Sequence, residues 1–216
     1  MANPEHVERL QQGVTVWNQW REKNSDLRPD LGHADLTGAN LELYNLTNAN
    51  LEQANLAGAD LRNALLKDAY LVGANLYMSD LIEADLQGAC LQRTTLAGAD
   101  LYKSNIAMAD LRQANLVGAL LRRVNLVEAT LAYANLTRAN LFQANLHLAD
   151  FKGAILQEAI LESASLIEAN FEHAILIAAK MTKANARRAN FSGANLYKAE
   201  MDGMDLRNAL LDETIR

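Results

Sequence analysis

Four histidines and one cysteine are the side chains of this 216-residue sequence that could most readily serve as metal ligands, general bases or nucleophiles. No histidine has a partner at the spacing typical of a metal site or a catalytic triad. Cys90 has no adjacent basic or histidine side chain that would mark it as a nucleophile. The sequence therefore predicts a protein that is not an enzyme and that needs no cofactor or metal. We interpret the histidines as surface residues: His6, His33, His147 and His173.

The charged residues are distributed unevenly along the chain. The net charge is −6 and the isoelectric point is near 5.2, whereas a general nucleic-acid binder is typically basic. Residues 31–120 hold ten acidic and five basic residues, and residues 121–216 hold eleven of each. The sequence thus predicts an acidic first half and no direct binding to nucleic acid.

Targeting signals are missing from the sequence. The N-terminal residues lack the basic and then apolar pattern of a signal peptide. No window approaches the ~18 consecutive apolar residues that a membrane span requires, and a single cysteine cannot form a disulfide within the chain. These features predict a cytoplasmic protein with no membrane partner.

An unbroken five-residue repeat must position all of these side chains. The positions 31, 36, 41 and so on to 211, called position i here, number 37, and all except Ala186 hold Leu, Ile, Phe or Met. Alanine occupies 30 of the 36 positions two residues earlier, at i−2. Asn or Asp is common at i−1, while i+1 and i+2 are variable and carry most of the glycines at i+2.

A period of five residues fits neither an amphipathic helix nor a long strand. Each step would turn an α-helix by about 140°, so the leucines would not form a stripe. In a plain strand the same step changes face at every repeat. A coil satisfies the pattern, because i−2 and i can both point inward and the next two residues can turn a corner, where glycine is favourable. Positions i and i−2 are therefore expected to be buried without exception between Leu36 and Leu206.

The motif A-(D/N)-L-x-x resembles the signature of the pentapeptide repeat family. It occurs as Ala39-Asn40-Leu41, Ala59-Asp60-Leu61, Ala139-Asn140-Leu141 and in many further copies. The segment from Trp17 to Arg21 that leads into the repeats is similar to that of cyanobacterial members. The resemblance implies an all-β solenoid, a right-handed quadrilateral β-helix of about nine coils with four repeats per coil. The β-helix would span residues 31–216, after an N-terminal helix and linker at residues 1–30.

The N-terminal segment is predicted to be one helix over about residues 4–22, followed by a linker from Asn24 to Arg28. Asn3 is a suitable N-cap, and Pro4 suits the first helical position. Gly13 is expected to weaken this helix by ~1 kcal/mol relative to Ala. Because a solenoid exposes apolar ends, this helix is expected to cover the first coil; a helix-pairing dimer contact is the alternative. The expected cap residues are Val7, Leu10, Val14, Trp17 and Trp20.

Two outward surfaces are candidates for binding a partner. Asp60, Asp80 and Asp100 recur at i−1 with a spacing of 20 residues, and the residues at i+1 beside them complete one face: Arg62, Ile82, Tyr102, Arg122 and Phe142. The alternative is that Asp is simply usual at i−1, with salt bridges to Arg62 or Lys103 balancing the charge. The second candidate is an apolar contact patch, which scattered surface residues would equally explain: Ile155, Ile160, Ile175 and Ile177.

If the protein is not an enzyme, two candidate functions remain. The first is a structural or interaction scaffold whose flat faces bind an unidentified protein. The second is a mimic of DNA that binds a type II topoisomerase such as DNA gyrase, as some members of the resembled family do. The sequence also predicts a homodimer through the C-terminal coil, because only five residues follow Leu211 and no capping helix is visible.

Overall fold

Parallel bridges between residues 20 apart organise the repeats. In the computed structural model of the protein, which describes residues 1–215, these bridges run without a gap from Asp30–Asn50 to Asn195–Ile215. Four pentapeptides therefore form each turn of the coil, which confirms the spacing of 20 residues. Within the described residues each bridge joins a single pair of residues, and strands of two or more residues do not form. The reason is that only the i−1 residue of each side lies between two turns.

Backbone hydrogen bonds join each coil to the next at three points per repeat. Leu61 N donates to Asp80 O at 2.7 Å, and Asn63 N donates to Ile82 O at 3.0 Å. In the opposite direction, Asp60 N donates to Ala39 O at 2.9 Å. A fourth bond, from Ala64 N to Leu61 O at 3.0 Å, closes the corner within the repeat. Since every side repeats this scheme, the backbone of an inner coil is paired on both edges.

Each corner places its i+2 residue in the left-handed region, with φ between 52° and 69° at all 37 such positions from 33 to 213. Glycine occupies only nine of them, although this conformation costs other residues roughly 1–2 kcal/mol. No Val, Ile or Thr occurs at i+2, in keeping with the greater strain of β-branched side chains there. From His33 to Gly193, the bond from the i+2 amide to the next coil offsets part of this strain.

The core is a column of Leu and Ala side chains that runs along the coil axis. Positions i and i−2 are buried throughout from Leu41 to Leu196. Three phenylalanines stack along one side, with ring centroids 4.9 Å apart for Phe151–Phe171 and 5.0 Å apart for Phe171–Phe191. The polar i−2 residues are buried too, because their hydroxyls donate to carbonyls: Ser79 to Leu76, Thr94 to Leu71 and Ser104 to Leu101.

Burial at the two ends departs from the prediction that i and i−2 are buried without exception between Leu36 and Leu206. Partly exposed residues at these positions lie in the first and last coils, where no further coil covers them: Ala39, Ala199, Met201, Met204 and Leu206. The prediction fails there because burial comes from the neighbouring coil and not from the repeat itself.

The N-terminal segment forms two helices where one was predicted. Helix α1 is Pro4–Gln11 and helix α2 is Val14–Lys23. Gly13 has φ 101° and ψ 165°, a conformation that interrupts the helix and that glycine adopts at little cost. Asn3 is the N-cap of α1, as predicted, and its side chain accepts a bond from Glu5 N at 2.9 Å. No helix among the described residues is long and apolar enough to cross a membrane.

Candidate functional site

Side chains from both helices form hydrogen bonds with the open edge of the first coil. Trp17 is fully buried, and its indole Nε1 donates to Asn45 O at 2.8 Å. The side-chain amide of Asn18 bonds twice, donating to Leu43 O at 3.0 Å and accepting from Asn45 N at 2.9 Å. These groups take the positions that the backbone of a preceding coil would hold.

Arg21 and His6 extend this pairing. Arg21 is only 3% exposed, and its guanidinium donates to the carbonyls of Asn24, Leu27 and Thr47 at 2.7–3.1 Å. Burial lowers the pKa of Arg21 from its ordinary value. His6 is also buried, and its Nδ1 accepts a bond from Asp30 N at 2.9 Å. Its prediction as a surface histidine was wrong, because the role of His6 depends on the distant Asp30.

The five residues expected to cap the first coil all lie on or near its core. Leu10 and Trp17 are buried, and Val7, Val14 and Trp20 are partly buried against the same core. The rings of Trp17 and Trp20 are 5.1 Å apart, and Trp17 lies 6.4 Å from Tyr44. The hydroxyl of Tyr44 donates to Leu10 O at 3.1 Å, which ties α1 to the first coil as well.

The i−1 side chains stabilise the corners, a role that the sequence analysis did not assign. Asp60, Asp80 and Asp100 each accept a bond at 3.0–3.2 Å from the backbone N two residues later. Asn40 and Asn140, in the same column, make the same bond at 3.1 Å. Asn and Asp are therefore frequent at i−1 because either side chain can fix the turn that follows.

The acidic column is partly neutralised by one arginine. Asp60, Asp80 and Asp100 bridge one another in successive coils. Arg62 binds Asp60 at 2.5 and 2.8 Å, and also lies 3.4 Å from Glu42 and 3.7 Å from Asp80. The hydrogen bond from Arg62 is the main cause that lowers the pKa of Asp60, and the same pair raises the pKa of Arg62.

Farther along the same face the side chains become aromatic and cationic. The ring of Tyr102 has two cations near it: Lys103 Nζ lies 5.3 Å and the guanidinium of Arg122 lies 5.4 Å from the ring centroid. Lys103 pairs with Glu83 at 3.2 Å, so it does not balance the aspartate column as one interpretation expected. Ile82 and Phe142 are half-buried in this column. The candidate partner face thus changes from acidic at Asp60 to aromatic and basic at Phe142.

Two of the four isoleucines of the apolar contact patch lie on the same side of the coil. Ile155 bridges Ile175 in the next coil, and Ile177 follows Ile175 at the adjoining corner. Ile160 belongs to the next side, where it bridges Lys180. Only Ile175 is exposed, at 36%, and the other three are half-buried. The patch is therefore small and is divided by a corner.

An arginine cluster near the C-terminal end was not predicted. Arg187 and Arg207 both bind Asp205, at 2.6 and 2.7 Å, and Arg188 binds Glu168 at 3.1 Å. They line an open depression of about 370 Å³. Because each guanidinium already has a carboxylate partner, the cluster is a network of surface ion pairs. Sequence spacing brings these residues to one corner, but it does not reveal their pairing.

The groups that could do chemistry remain apart. Burial raises the pKa of the Cys90 thiol, which is the opposite of what an activated nucleophile requires. His33 and His173 are exposed, and His147 is half-buried with Nδ1 3.0 Å from Ile167 O. In residues 1–215 no three His, Cys, Asp or Glu side chains cluster as a metal site would need.

Comparison with known proteins gives a family and a fold. The model of pentapeptide repeats matches this chain in eight copies, over residues 45–77, 79–118, 109–143, 144–182 and 174–212. No curated protein matches the sequence significantly. Pentapeptide repeat proteins such as the structural neighbours are right-handed quadrilateral β-helices.

Solved structures of three such proteins are similar to this chain. HetL from the cyanobacterium Nostoc, a pentapeptide repeat protein involved in the regulation of heterocyst differentiation, is 36% identical over 86% of this chain and 81% of its own, with a TM-score of 0.52. A trypsin-treated form of QnrB1, a plasmid-mediated fluoroquinolone resistance protein, is 19% identical over 81% and 89%, with a TM-score of 0.45. Rfr23 from the cyanobacterium Cyanothece is 23% identical over 65% and 90%, with a TM-score of 0.26. The continuous match to the repeat model and the likeness to HetL show that the chain belongs to the pentapeptide repeat family.

Proposed function

We propose that the protein is a non-enzymatic scaffold, a right-handed quadrilateral β-helix of about nine coils that presents flat faces to a partner protein in the cytoplasm. The helices α1 and α2 act as its N-terminal cap. One observation carries the proposal: the face from Asp60 to Phe142 holds side chains in columns, one per coil, on a fully buried core. Side chains on such a rigid frame lose little freedom on binding, which favours recognition by a partner.

Removal of the aromatic side chains of this face should weaken binding of the partner. We expect the double variant Tyr102→Ala/Phe142→Ala to lose at least ~10-fold in affinity, because aromatic residues commonly dominate binding energies. The measurement is capture from a lysate of the source cells, with a photocrosslinker placed at Ile82 to identify the bound protein. Tyr77 and Tyr133 are exposed on other columns, so Tyr77→Ala/Tyr133→Ala is the matched control. Equal loss of capture by both double variants would contradict the proposal.

Mimicry of DNA is the second candidate function, and the stacked carboxylates of Asp60, Asp80 and Asp100 favour it. In that case the protein should inhibit supercoiling by DNA gyrase at low micromolar concentration. Added salt should relieve the inhibition, since exposed charges are screened beyond about 8 Å at physiological ionic strength.

The triple variant Asp60→Asn/Asp80→Asn/Asp100→Asn tests this second function without disturbing the fold. Asn should preserve each turn, because Asn40 and Asn140 make the same bond in the same column. We expect the thermal midpoint to change little and the inhibition to disappear. An absence of inhibition by the unaltered protein, or full inhibition by the variant, would rule out mimicry by this column.

A homodimer through the C-terminal coil is also proposed. Met201 N and Leu206 N have no partner among residues 1–215, whereas Met181 N, one coil earlier, donates to Glu200 O at 2.7 Å. Leu210 and Ile215 are 52% and 56% exposed beside this edge. Sedimentation equilibrium at high micromolar concentration should give twice the chain mass of 23.7 kDa. Met204→Asp should give a monomer, whereas Leu65→Asp, at an exposed side chain of the second coil, should not; a monomeric unaltered protein would refute the dimer.

A further inference from the structure

The N-terminal edge of the first coil is paired by the helices on only two of its four sides. At Asp30 the backbone N donates to His6 Nδ1 at 2.9 Å and the carbonyl accepts from Asn3 N at 3.0 Å. At Asn45 the backbone N and carbonyl bind Asn18 and Trp17. Both sides thus have a substitute for the coil that would come before them.

The two sides between them, at Asp35 and Asn40, have no such substitute. Neither the N–H nor the C=O of either residue has a hydrogen-bond partner within residues 1–215, and both residues are exposed. The equivalent amides one coil later, Asn55 N and Asp60 N, donate to Ala34 O and Ala39 O at 2.9 Å. This stretch is therefore an open β-edge, with donors and acceptors in the geometry that the rest of the solenoid uses for pairing.

A groove lies directly over this open edge. It consists of two adjoining cavities of about 370 and 280 Å³, both lined by Asn40 and Tyr44. Leu36, Ala39 and Leu41 form an apolar floor. The opposite wall comes from the two helices and contains Leu10, Gln11, Gly13 and Val14.

The rim of the groove is acidic. Asp35 lines one cavity and Glu42 the other. Hydrogen bonds from the side chain and backbone of Thr37 lower the pKa of Asp35, so this carboxylate is ionised at neutral pH. Glu42 shares its charge with Arg62 at 3.4 Å. A basic side chain of the bound segment next to Asp35 would consequently favour binding in the groove.

We propose that this groove, bounded by the helices and by residues 35–44, binds a short extended segment of a partner protein, which adds to the open edge as part of a missing coil. The segment would place small or aliphatic side chains on the apolar floor at a spacing of two residues and a Lys or Arg beside Asp35. Edge pairing of this kind derives its affinity from main-chain hydrogen bonds and its specificity from alternate side chains. A whole coil of a second copy cannot stack here, because the helices occupy the edge at Asp30 and Asn45.

This inference rests on the proposed scaffold function and assigns a site for an extended segment of the partner. The probe is a synthetic peptide with the sequence of Ala54–Asn63 and Lys in place of Asn55, since these residues already pair with residues 34–43 from the other side and Asn55 is the one that lies beside Asp35. At saturation, hydrogen exchange of the Asp35 and Asn40 amides should slow at least ~10-fold, as expected for amides that become hydrogen-bonded. The control is the same peptide with methyl groups on the backbone nitrogens of its two leucines. It lacks the N–H groups that would donate to Asp35 O and Asn40 O, so it should have no effect.

Filling the groove gives a second test with the full chain. Ala39→Phe should weaken binding of the peptide at least ~10-fold, because Ala39 is the partly exposed alanine of the groove floor. Ala199→Phe, at a partly exposed alanine of the opposite end, is the matched control and should bind normally. No change at Asp35 and Asn40 with millimolar peptide, or equal protection by the N-methylated peptide, would overturn the proposal. A third outcome separates the two proposals. If Ala39→Phe still captures a partner through the candidate partner face, the scaffold function stands and the groove is not used.

Discussion

Leu116→Asp is expected to abolish cooperative folding of the protein. Leu116 is fully buried, and Leu96 and Leu136, one coil away on each side, are fully buried as well. The substitution removes about 1.5–3 kcal/mol of apolar burial and adds a desolvation cost of several kcal/mol for an unpaired charge. The total is comparable to the free energy of unfolding of a typical domain, about 5–15 kcal/mol. Far-UV circular dichroism and urea denaturation measure the result.

The preceding residue supplies a matched control for this substitution. Asn115 is exposed, and its Oδ1 accepts a bond from Val117 N at 3.2 Å. Asn115→Asp introduces the same carboxylate one position away, but facing solvent and with the turn bond retained, so its free energy of unfolding should change by less than about 0.5 kcal/mol. A cooperative melt that survives in Leu116→Asp would show that the inward direction of position i has been wrongly assigned.

Trp17→Ala should produce the largest loss of stability among changes in the N-terminal helices. Trp17 is fully buried between α2 and the first coil, and its Nε1 bonds to Asn45 O. Truncation of a buried tryptophan costs about 3–5 kcal/mol. We expect a lower urea midpoint and faster hydrogen exchange in the first coil, at the amides of Leu46 and Ala49, while Phe171 in the distant phenylalanine stack keeps its protection.

Two further variants separate packing from hydrogen bonding at this position. Trp17→Phe keeps most of the apolar contact and leaves Asn45 O unpaired, so its cost should be smaller, about 1–3 kcal/mol. Val16→Ala changes an adjacent side chain of α2 that is 38% exposed and should be nearly neutral. If Trp17→Ala were as mild as Val16→Ala, the helices would not stabilise the first coil.

Most of the fold follows from the apolar frame of the sequence. The alternation of Ala at i−2 and Leu at i can bury one face only in a closed coil. The length of 20 residues per turn, which the bridges show, was expected from the resemblance to the pentapeptide repeat family and not from the period. The stacking of Phe151, Phe171 and Phe191 also follows from their spacing. Periodicity predicts these features because inner coils all have the same surroundings.

The ends could not be predicted in the same way, because each end residue meets a unique partner. Nothing near Asn18 in the sequence indicates that its amide would pair with Leu43 and Asn45, which lie 25 and 27 residues away. The helix break at Gly13 was foreseen only as a weakening of one helix. Its cause lies in the positive φ of that residue, which apolar spacing does not reveal.

The candidate partner face was predicted in its composition but not in its electrostatics. The stacking of the three aspartates follows from their spacing, and the bond between Asp60 and Arg62 agrees with one of the interpretations offered. The ion pair between Lys103 and Glu83 was not predicted, because both side chains are long and several carboxylates lie within reach of Lys103. Pairing among exposed side chains depends on rotamers and not on register.

The unbroken register between coils has a consequence for how such a chain can change length. A duplication or loss of 20 residues would lengthen or shorten the rod by one coil, about 4.8 Å, and would leave every surface column aligned. A change of five residues would keep the core frame intact but would turn every later column by one side relative to the earlier ones. Insertions or deletions of 20 and of five residues therefore both preserve the packing of the core. Only a change of 20 residues preserves a binding face that extends across the site of the change.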